Sequence, residues 1–456
     1  MRRFGIPFAS FALASVCFAG AALVAPACGG DKEVKYPTTD GGGGIVTDDK
    51  GAQVGVVDGA GVSGLAGSAK DAYEAGWQAW LAGDLPTARK KFQEAASLDP
   101  KSPSPHYSLG IVLEHLGDAS GAQQAFKKAF TIAPTHELSM CAYALSLANG
   151  KSPSDADAFL TDKRTRAKDS PRLTTCNAEV KSIQKDHATA QQLAQDALRM
   201  DPDFKDAMVM IARDHYRARK LDLARYALTA VLEGFGDATP ARDKDNAEAH
   251  LIRGLIAREA GGRLGALKDF EVATKRRPDL VEALLNLGSM RLEAGNAAEA
   301  APVLESAVKF APNNALARLN LGDCYRLQQR YGEARAQFDK ALSLDSSLAA
   351  AHYDIGLMYL TAQSIPGTNA DQQVATAIKE LESYKTMRGP KAPPGVNDEI
   401  DDLLNRAKAK QAELKNTVAV QEQAKSAAAA KPAAAPAPAA KPAAPAASGG
   451  IVRDVP

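Results

Sequence analysis

A pattern of small and large residues that returns every 34 positions constrains this chain more than anything else in it. Ala266, Phe270, Ala273 and Pro278 are followed 34 residues later by Ala300, Leu304, Ala307 and Pro312, and after a further 34 by Ala334, Phe338 and Ala341, with Ser346 in the proline's place. Gly254, Gly288 and Gly322 recur at the same interval. Alanine, a large apolar residue and alanine at i, i+4 and i+7 share one face of a helix. The alanines admit a neighbouring helix closely, and the large residue fills the gap between them. The glycine sits on the preceding helix, where a side chain would hold the pair apart, and proline ends the second helix. One such hairpin cannot bury its own apolar face, so its stability comes from stacking on others.

A 34-residue period with this spacing resembles the tetratricopeptide repeat. The resemblance implies an all-α, right-handed superhelix, an α-solenoid of about nine helix–turn–helix repeats with a C-terminal capping helix, whose work is to bind other proteins. Repeats one to five are expected over residues 69–236, a polar joint over 237–246 and repeats six to nine over 247–390. A polar, Lys-, Glu-, Gln- and Ala-rich segment over 396–425 reads as the capping helix, and 426–456 as a disordered Ala/Pro/Lys-rich tail of extended character. The third repeat loses the pattern in the charged stretch from Asp162 to Asp169.

The N-terminus reads as an export signal over residues 1–27. Arg2 and Arg3 precede an uncharged, mostly apolar run from Phe4 to Val24. Ala25-Pro26-Ala27-Cys28 then resembles a bacterial lipobox, which implies that Cys28 carries lipid and that the protein is an outer-membrane lipoprotein facing the periplasm. Plain cleavage after Ala27 and an uncleaved anchor are the alternatives. Residues 28–68, rich in Gly, Thr and Asp, are expected to be a flexible tether. Gly59-Ala60-Gly61-Val62-Ser63-Gly64 has the form of a dinucleotide-binding fingerprint and Val54 to Val57 could pass for a strand before it, but the motif needs a βαβ unit around it and helical repeats follow instead.

Composition closes off other classes. Lys and Arg number 55 against 54 Asp and Glu, with no concentrated basic face for nucleic acid. Cys141, Cys176 and Cys324 have no metal-ligand spacing. Ser182-Ile183-Gln184-Lys185 matches S-x-x-K without its partner motifs. His106, His250 and His352 share one repeat position, which favours packing over metal binding. No enzyme, cofactor, metal or small-molecule substrate is therefore expected. Cys141 and Cys176 fall at nearly equivalent positions of adjacent first helices, and a disulfide there would need Cα atoms within about 7 Å, closer than neighbouring parallel helices usually come.

In the family, partners bind the concave face, formed by the second, fifth, ninth and twelfth residues of each first helix. Carried onto this chain, that groove comprises Tyr73, Trp77, Trp80, Tyr107, Ile111, Val209, Arg213, Tyr216, Leu251, Leu255, Arg258, Leu285, Leu292, Leu319, Arg326, Tyr353 and Leu357. Aromatics, leucines and arginines are what binding hot spots use; packing against second helices or the cap is the competing role. The clamp by which some members hold chaperone C-termini is missing, since Asn286 and Asn320 fall one position off the groove. Anchor, tether, array and tail together are similar to the repeat lipoproteins of bacterial adventurous gliding motility, which implies an envelope scaffold with envelope proteins or peptides as partners. A pilotin-like assembly factor for a type IV pilus secretin and an accessory regulator of cell-wall synthesis are the other readings. Specific function is expected where the pattern loosens: the aromatic first repeat, the third repeat, the joint near 240 and the loop near 365.

Overall fold

Nine helix pairs and a terminal helix follow one another along the chain in a computed structural model that describes residues 44–47, 53–57, 65–167, 170–237, 239–389 and 399–429. The export signal, Cys28, the Gly59–Gly64 motif and the tail beyond 429 lie outside the described residues. Repeat one is α1 (Gly67–Leu81) and α2 (Leu85–Leu98), repeat two α3 (Pro103–His115) and α4 (Ala119–Ile132), and repeat three α5 (Glu137–Asn149) and α6 (Pro153–Arg166). Repeat four is α7 (Pro171–Ile183) and α8 (His187–Met200), and repeat five α9 (Lys205–Arg217) and α10 (Leu221–Leu232). Repeat six is α11 (Ala247–Glu259) and α12 (Arg263–Arg276), and repeat seven α13 (Val281–Glu293) and α14 (Ala297–Phe310). Repeat eight is α15 (Ala315–Leu327) and α16 (Tyr331–Leu344), and repeat nine α17 (Ala349–Thr361) and α18 (Ala370–Arg388); α19 (Glu399–Ala429) caps the array. The all-α superhelix expected from the period is the fold observed.

The pattern works as its chemistry suggests. A Cβ added at Gly254, Gly288 or Gly322 would lie 2.7, 2.4 or 2.6 Å from the side chains of Phe270, Leu304 and Phe338, so each glycine is the seat of its partner helix's large residue. The flanking alanines, Ala266, Ala273, Ala300, Ala307, Ala334 and Ala341, are wholly buried. Side-chain acceptors start many of the helices: Asp84, Asp118, Asp186, Asn246 and Asn314 each cap a backbone N–H three residues on. α19 docks through Ile400, Leu403, Leu404 and Ala407, all buried, and its remainder from Ala412 on is largely exposed.

Two segments outside the helix pairs carry structure of their own. The stretch read as a flexible tether contains an antiparallel hairpin of β1 (Gly44–Thr47) and β2 (Gln53–Val57), with Gly44 opposite Val57. Both strands carry β-branched residues, which suit a pleated ladder. The joint after repeat five is a shaped turn: Gly234 bridges Pro240, Phe235 N–H donates to Thr239 O, and Asp243 N–H donates to Val231 O.

Consecutive first helices touch through much of the array, α5 with α7, α7 with α9, α9 with α11, α13 with α15 and α15 with α17, whereas consecutive second helices approach less closely. The array therefore curls with its first helices inside. The curl brings repeats one and two onto repeats seven and eight. Trp77, Trp80, Leu85 and Val112 share one apolar cluster with Leu284, Ala307, Phe310 and Ala317. The Trp80 ring lies 5.7 Å from that of Phe310, and His115 Nδ1 lies 2.7 Å from the Phe310 carbonyl oxygen. Asn313 Nδ2 donates to Leu116 O at 2.8 Å.

Candidate functional site

The inner face is built from first helices, and its middle is a ladder of charged side chains that ties one repeat to the next. Arg213 on α9 donates to Glu179 on α7 at 3.1 Å and to Glu248 on α11, so one guanidinium joins repeats four, five and six. Arg217, one turn on, donates to the other oxygen of Glu179 at 2.7 Å. Arg258 on α11 reaches repeat seven, donating to Asn286 Oδ1 at 2.7 Å and Glu293 at 2.8 Å. Tyr216 donates to Glu259 at 2.7 Å. Burial works against the Arg213 charge, but Glu248 and Glu179 outweigh it and raise its pKa, while Arg213 holds the Glu248 carboxyl below its ordinary value. The network is matched in charge and open to solvent on one side: the Glu248 side chain is 42% exposed, Arg217 35% and Arg213 27%, while Glu179 beneath them is buried. Arginines and carboxylates held in fixed geometry with one side in water can exchange partners with an incoming charged segment.

The structure sorts the seventeen sequence-derived groove residues into three groups. Arg213, Tyr216, Leu255 and Arg258 line the half-open middle of the inner face. Leu285, Leu292, Arg326, Tyr353 and Leu357 are half-buried, with the leucines and Tyr353 packed on the core of repeats seven to nine. Tyr353 donates to Glu399 of the cap at 3.2 Å, and Arg326 donates to Asp323 of its own helix at 2.8 Å. The remainder correct the expectation of an exposed groove. Tyr73, Trp77, Trp80, Tyr107, Val209, Leu251 and Leu319 are buried, and Ile111 packs against the cluster where repeats one and two meet seven. Tyr73 and Trp77 stack on Phe92 of their own repeat, and Trp80 is covered by His115 and Phe310. The aromatic first repeat is filled by this chain itself.

A second correction concerns the cysteines. Cys141 on α5 and Cys176 on α7 form a disulfide, with Cα atoms 5.7 Å apart. Small residues are buried on both helices, Ser139, Ala144 and Ser146 on α5 and Thr174, Thr175 and Ala178 on α7. Cys324 is a buried free thiol. The recurrent histidines are packing residues with local partners: His250 contacts Asp269 at 2.8 Å and Lys244 O at 2.9 Å, and His352 contacts Glu380 at 2.6 Å. His106 is buried, and desolvation with nearby Lys128 lowers its pKa to about 4, which keeps it neutral. Among the described residues there is no cluster of three or more potential metal ligands, and no helix is long and apolar enough to cross a membrane.

Sequence reasoning missed one exposed feature. Tyr226 on α10 and Phe235 in the joint stack at 5.0 Å while remaining 66% and 49% exposed, beside the half-exposed Leu223. Phe235 between Gly234 and Gly236 was the available signal, but its partner ring lies on a helix whose outer face no periodicity singles out.

Comparison with known proteins agrees with this geometry. The tetratricopeptide repeat signature matches residues 73–137, 256–315 and 291–349. No curated protein matches the chain. Among solved structures it is similar to the Cut9–Hcn1 hetero-tetramer of the APC/C, at 16% identity and a TM-score of 0.45 over 74% of this chain and 76% of that one. It is similar to yeast Tom70 at 18% identity and a TM-score of 0.44, over 64% of each chain. It is also similar to MamA from Desulfovibrio magneticus RS-1 at 20% identity and a TM-score of 0.29, over 36% of this chain and 93% of that one. These likenesses are loose and say nothing about partners. Nine stacked helix pairs, six of them seated on a glycine, with the repeat signature matched in both halves of the array, identify the fold as a tetratricopeptide repeat superhelix.

Proposed function

We propose that this protein is an exported, lipid-anchored scaffold that gathers envelope proteins on the inner face of its repeats. The family's fold suits protein–protein interaction rather than chemistry. The observation that carries the reading is the Arg213 node, part of a charge-matched set of pairs, half-open to solvent above the buried Glu179, that ties repeats four to seven together. An extended partner segment bearing both charges would replace these intramolecular pairs one for one, so no ion is left desolvated and alone. The Cys141–Cys176 disulfide supports an oxidising compartment, since such bonds are rare where thiols are kept reduced. The apolar leader ending at Cys28 supports export and lipidation. The similarity in layout to gliding-motility lipoproteins makes that apparatus the first envelope machine to test.

Photo-crosslinking in cells from positions 216 and 258, with position 226 on the outer face as comparison, tests the reading. Envelope proteins captured from the inner positions are the expected result, together with a lipid-modified Cys28 at the mature N-terminus by mass spectrometry. Capture of cytoplasmic proteins alone, or an unmodified Cys28, overturns it.

A further inference from the structure

In a solenoid each repeat touches only its neighbours, and its stability is close to a sum of repeat and neighbour terms. One contact here breaks that rule. Repeats one and two meet repeats seven and eight across 195 residues of chain, through the cluster of Trp77, Trp80, Leu284 and Phe310 and the two bonds made by His115 and Asn313. The turns after α1 and α3 are shaped to receive the end of α14. A Cβ added at Gly83 would lie 3.0 Å from Lys309 Cβ, and one added at Gly117 would lie 3.9 Å from Asn313 Cβ.

The contact is added to hairpins that each close on a seat of their own. Repeat one has its own core, with Phe92 seated on Gly76 and stacked on Tyr73 and Trp77; repeat two has Phe126 on Gly110 and repeat seven has Leu304 on Gly288. Phe310 packs into no other core cluster than the one that joins the two ends. Two polar bonds across the junction, those of His115 and Asn313, go to backbone carbonyls. The cluster also buries the Trp77 indole N–H without an acceptor, a cost that its apolar packing has to offset. Loss of this contact would uncover Trp80 and Phe310 and leave the glycine-seated ring of each repeat in place.

We propose that the junction of repeats one–two with repeats seven–eight is a latch that opens as a unit while the repeats stay folded, and so gates the inner face. Closed, the array is a ring, and Arg213, Tyr216, Glu248 and Arg258 face its interior. Open, the same face is a groove that a folded partner can enter from the side. The gating role rests on the reading of the inner face as the partner surface; the latch itself does not.

The two tryptophans of the chain, Trp77 and Trp80, both lie in this cluster, so their emission reports it directly. In a denaturant titration of the purified protein, Trp emission is expected to shift red at a lower concentration than the loss of helical circular dichroism, with an increase in radius of gyration by X-ray scattering at the first step. Phe310→Ala should lower the midpoint of the first transition and leave the second in place; Asn313→Ala is a milder variant should the first not fold. A G117C/N313C pair, whose Cβ separation suits a disulfide, should merge the two transitions when oxidised. Coincident transitions in the unlocked protein would show that closure is integral to the fold and would overturn the latch. Crosslinking from position 216 separates the two readings. The locked ring should capture partners at least tenfold less than the open one, and equal capture from both removes the gate. Absence of any envelope partner in both forms would remove the scaffold while leaving the spectroscopic result for the latch standing.

Discussion

Repeats six to eight and repeats three and four are built to the same plan and held by different means. In the first region each hairpin is closed by a large apolar side chain on a glycine, with wholly buried alanines on either side: Phe270 on Gly254, Leu304 on Gly288 and Phe338 on Gly322. In the second, α6 buries only Ala156 and Leu160 fully, Phe159 packs half-buried between Phe130 and Tyr143, and much of the helix's contact with α7 is polar. Arg164 donates to Asn177 at 2.9 Å, Asn177 and Lys181 donate to Asp157 at 2.9 and 2.7 Å, and Gln184 donates to Pro153 O at 2.9 Å. The disulfide then ties α5 to α7 across the weakened pair. Hydrogen bonds of this kind have modest net worth because water competes for each partner in the unfolded chain. A covalent link instead removes entropy from the unfolded state and is indifferent to how well the helix beneath it packs. Where a repeat's apolar face is reduced, a crosslink can add to it.

The sharpest break of this comparison is Phe338→Ala. It should empty a fully buried ring site and cost about 3–5 kcal/mol, with hydrogen exchange rising first in α15 and α16 and not in α5 to α7. Removing the disulfide with Cys141→Ser and Cys176→Ser should cost about 2–5 kcal/mol and show the reverse exchange pattern, faster in repeats three and four and unchanged in six to eight. Uniform loss of protection in both variants would mean that the array unfolds as one cooperative block and that the regional contrast has no energetic meaning. The smallest effect concerns the turns. Repeats six and seven turn through Gly261 and Gly295 at φ of 78° and 80°, whereas repeats three and four place Lys151 and Lys185 in the same left-handed region, at 81° and 66°. Lys185→Gly should therefore stabilise repeat four by up to about 1 kcal/mol, read as a higher thermal midpoint; a lower one would mean that the lysine makes a compensating contact.

Much of this was legible in the chain because the repeat's packing is local. A glycine and the ring it receives lie 16 residues apart, from Gly254 to Phe270 and from Gly322 to Phe338, and the turn between them is short, so spacing alone reports the contact. The candidate site was legible only in part. Arg213, Tyr216, Leu255 and Arg258 could be assigned to the inner face from register, since register sets direction. What that face would meet could not. Trp80 and Phe310 lie 230 positions apart and share no pattern, so the strongest-looking hot spot in the sequence is a residue that the chain covers itself. The Cys141–Cys176 bond was illegible for a related reason. Equivalent positions give two helices the same azimuth, but their separation depends on the bulk of every residue between them.

The sequence by itself determined the repeat, its hairpin geometry, the number of units and the side of each helix that faces inward, because all of these follow from periodicity acting within about 40 residues. Tertiary structure alone decided the closure of repeats one and two onto seven and eight, the pairing of the two cysteines and the burial of the first repeat's aromatics. These depend on curvature, which accumulates small rotations over many stacked units, and no local pattern records such a sum.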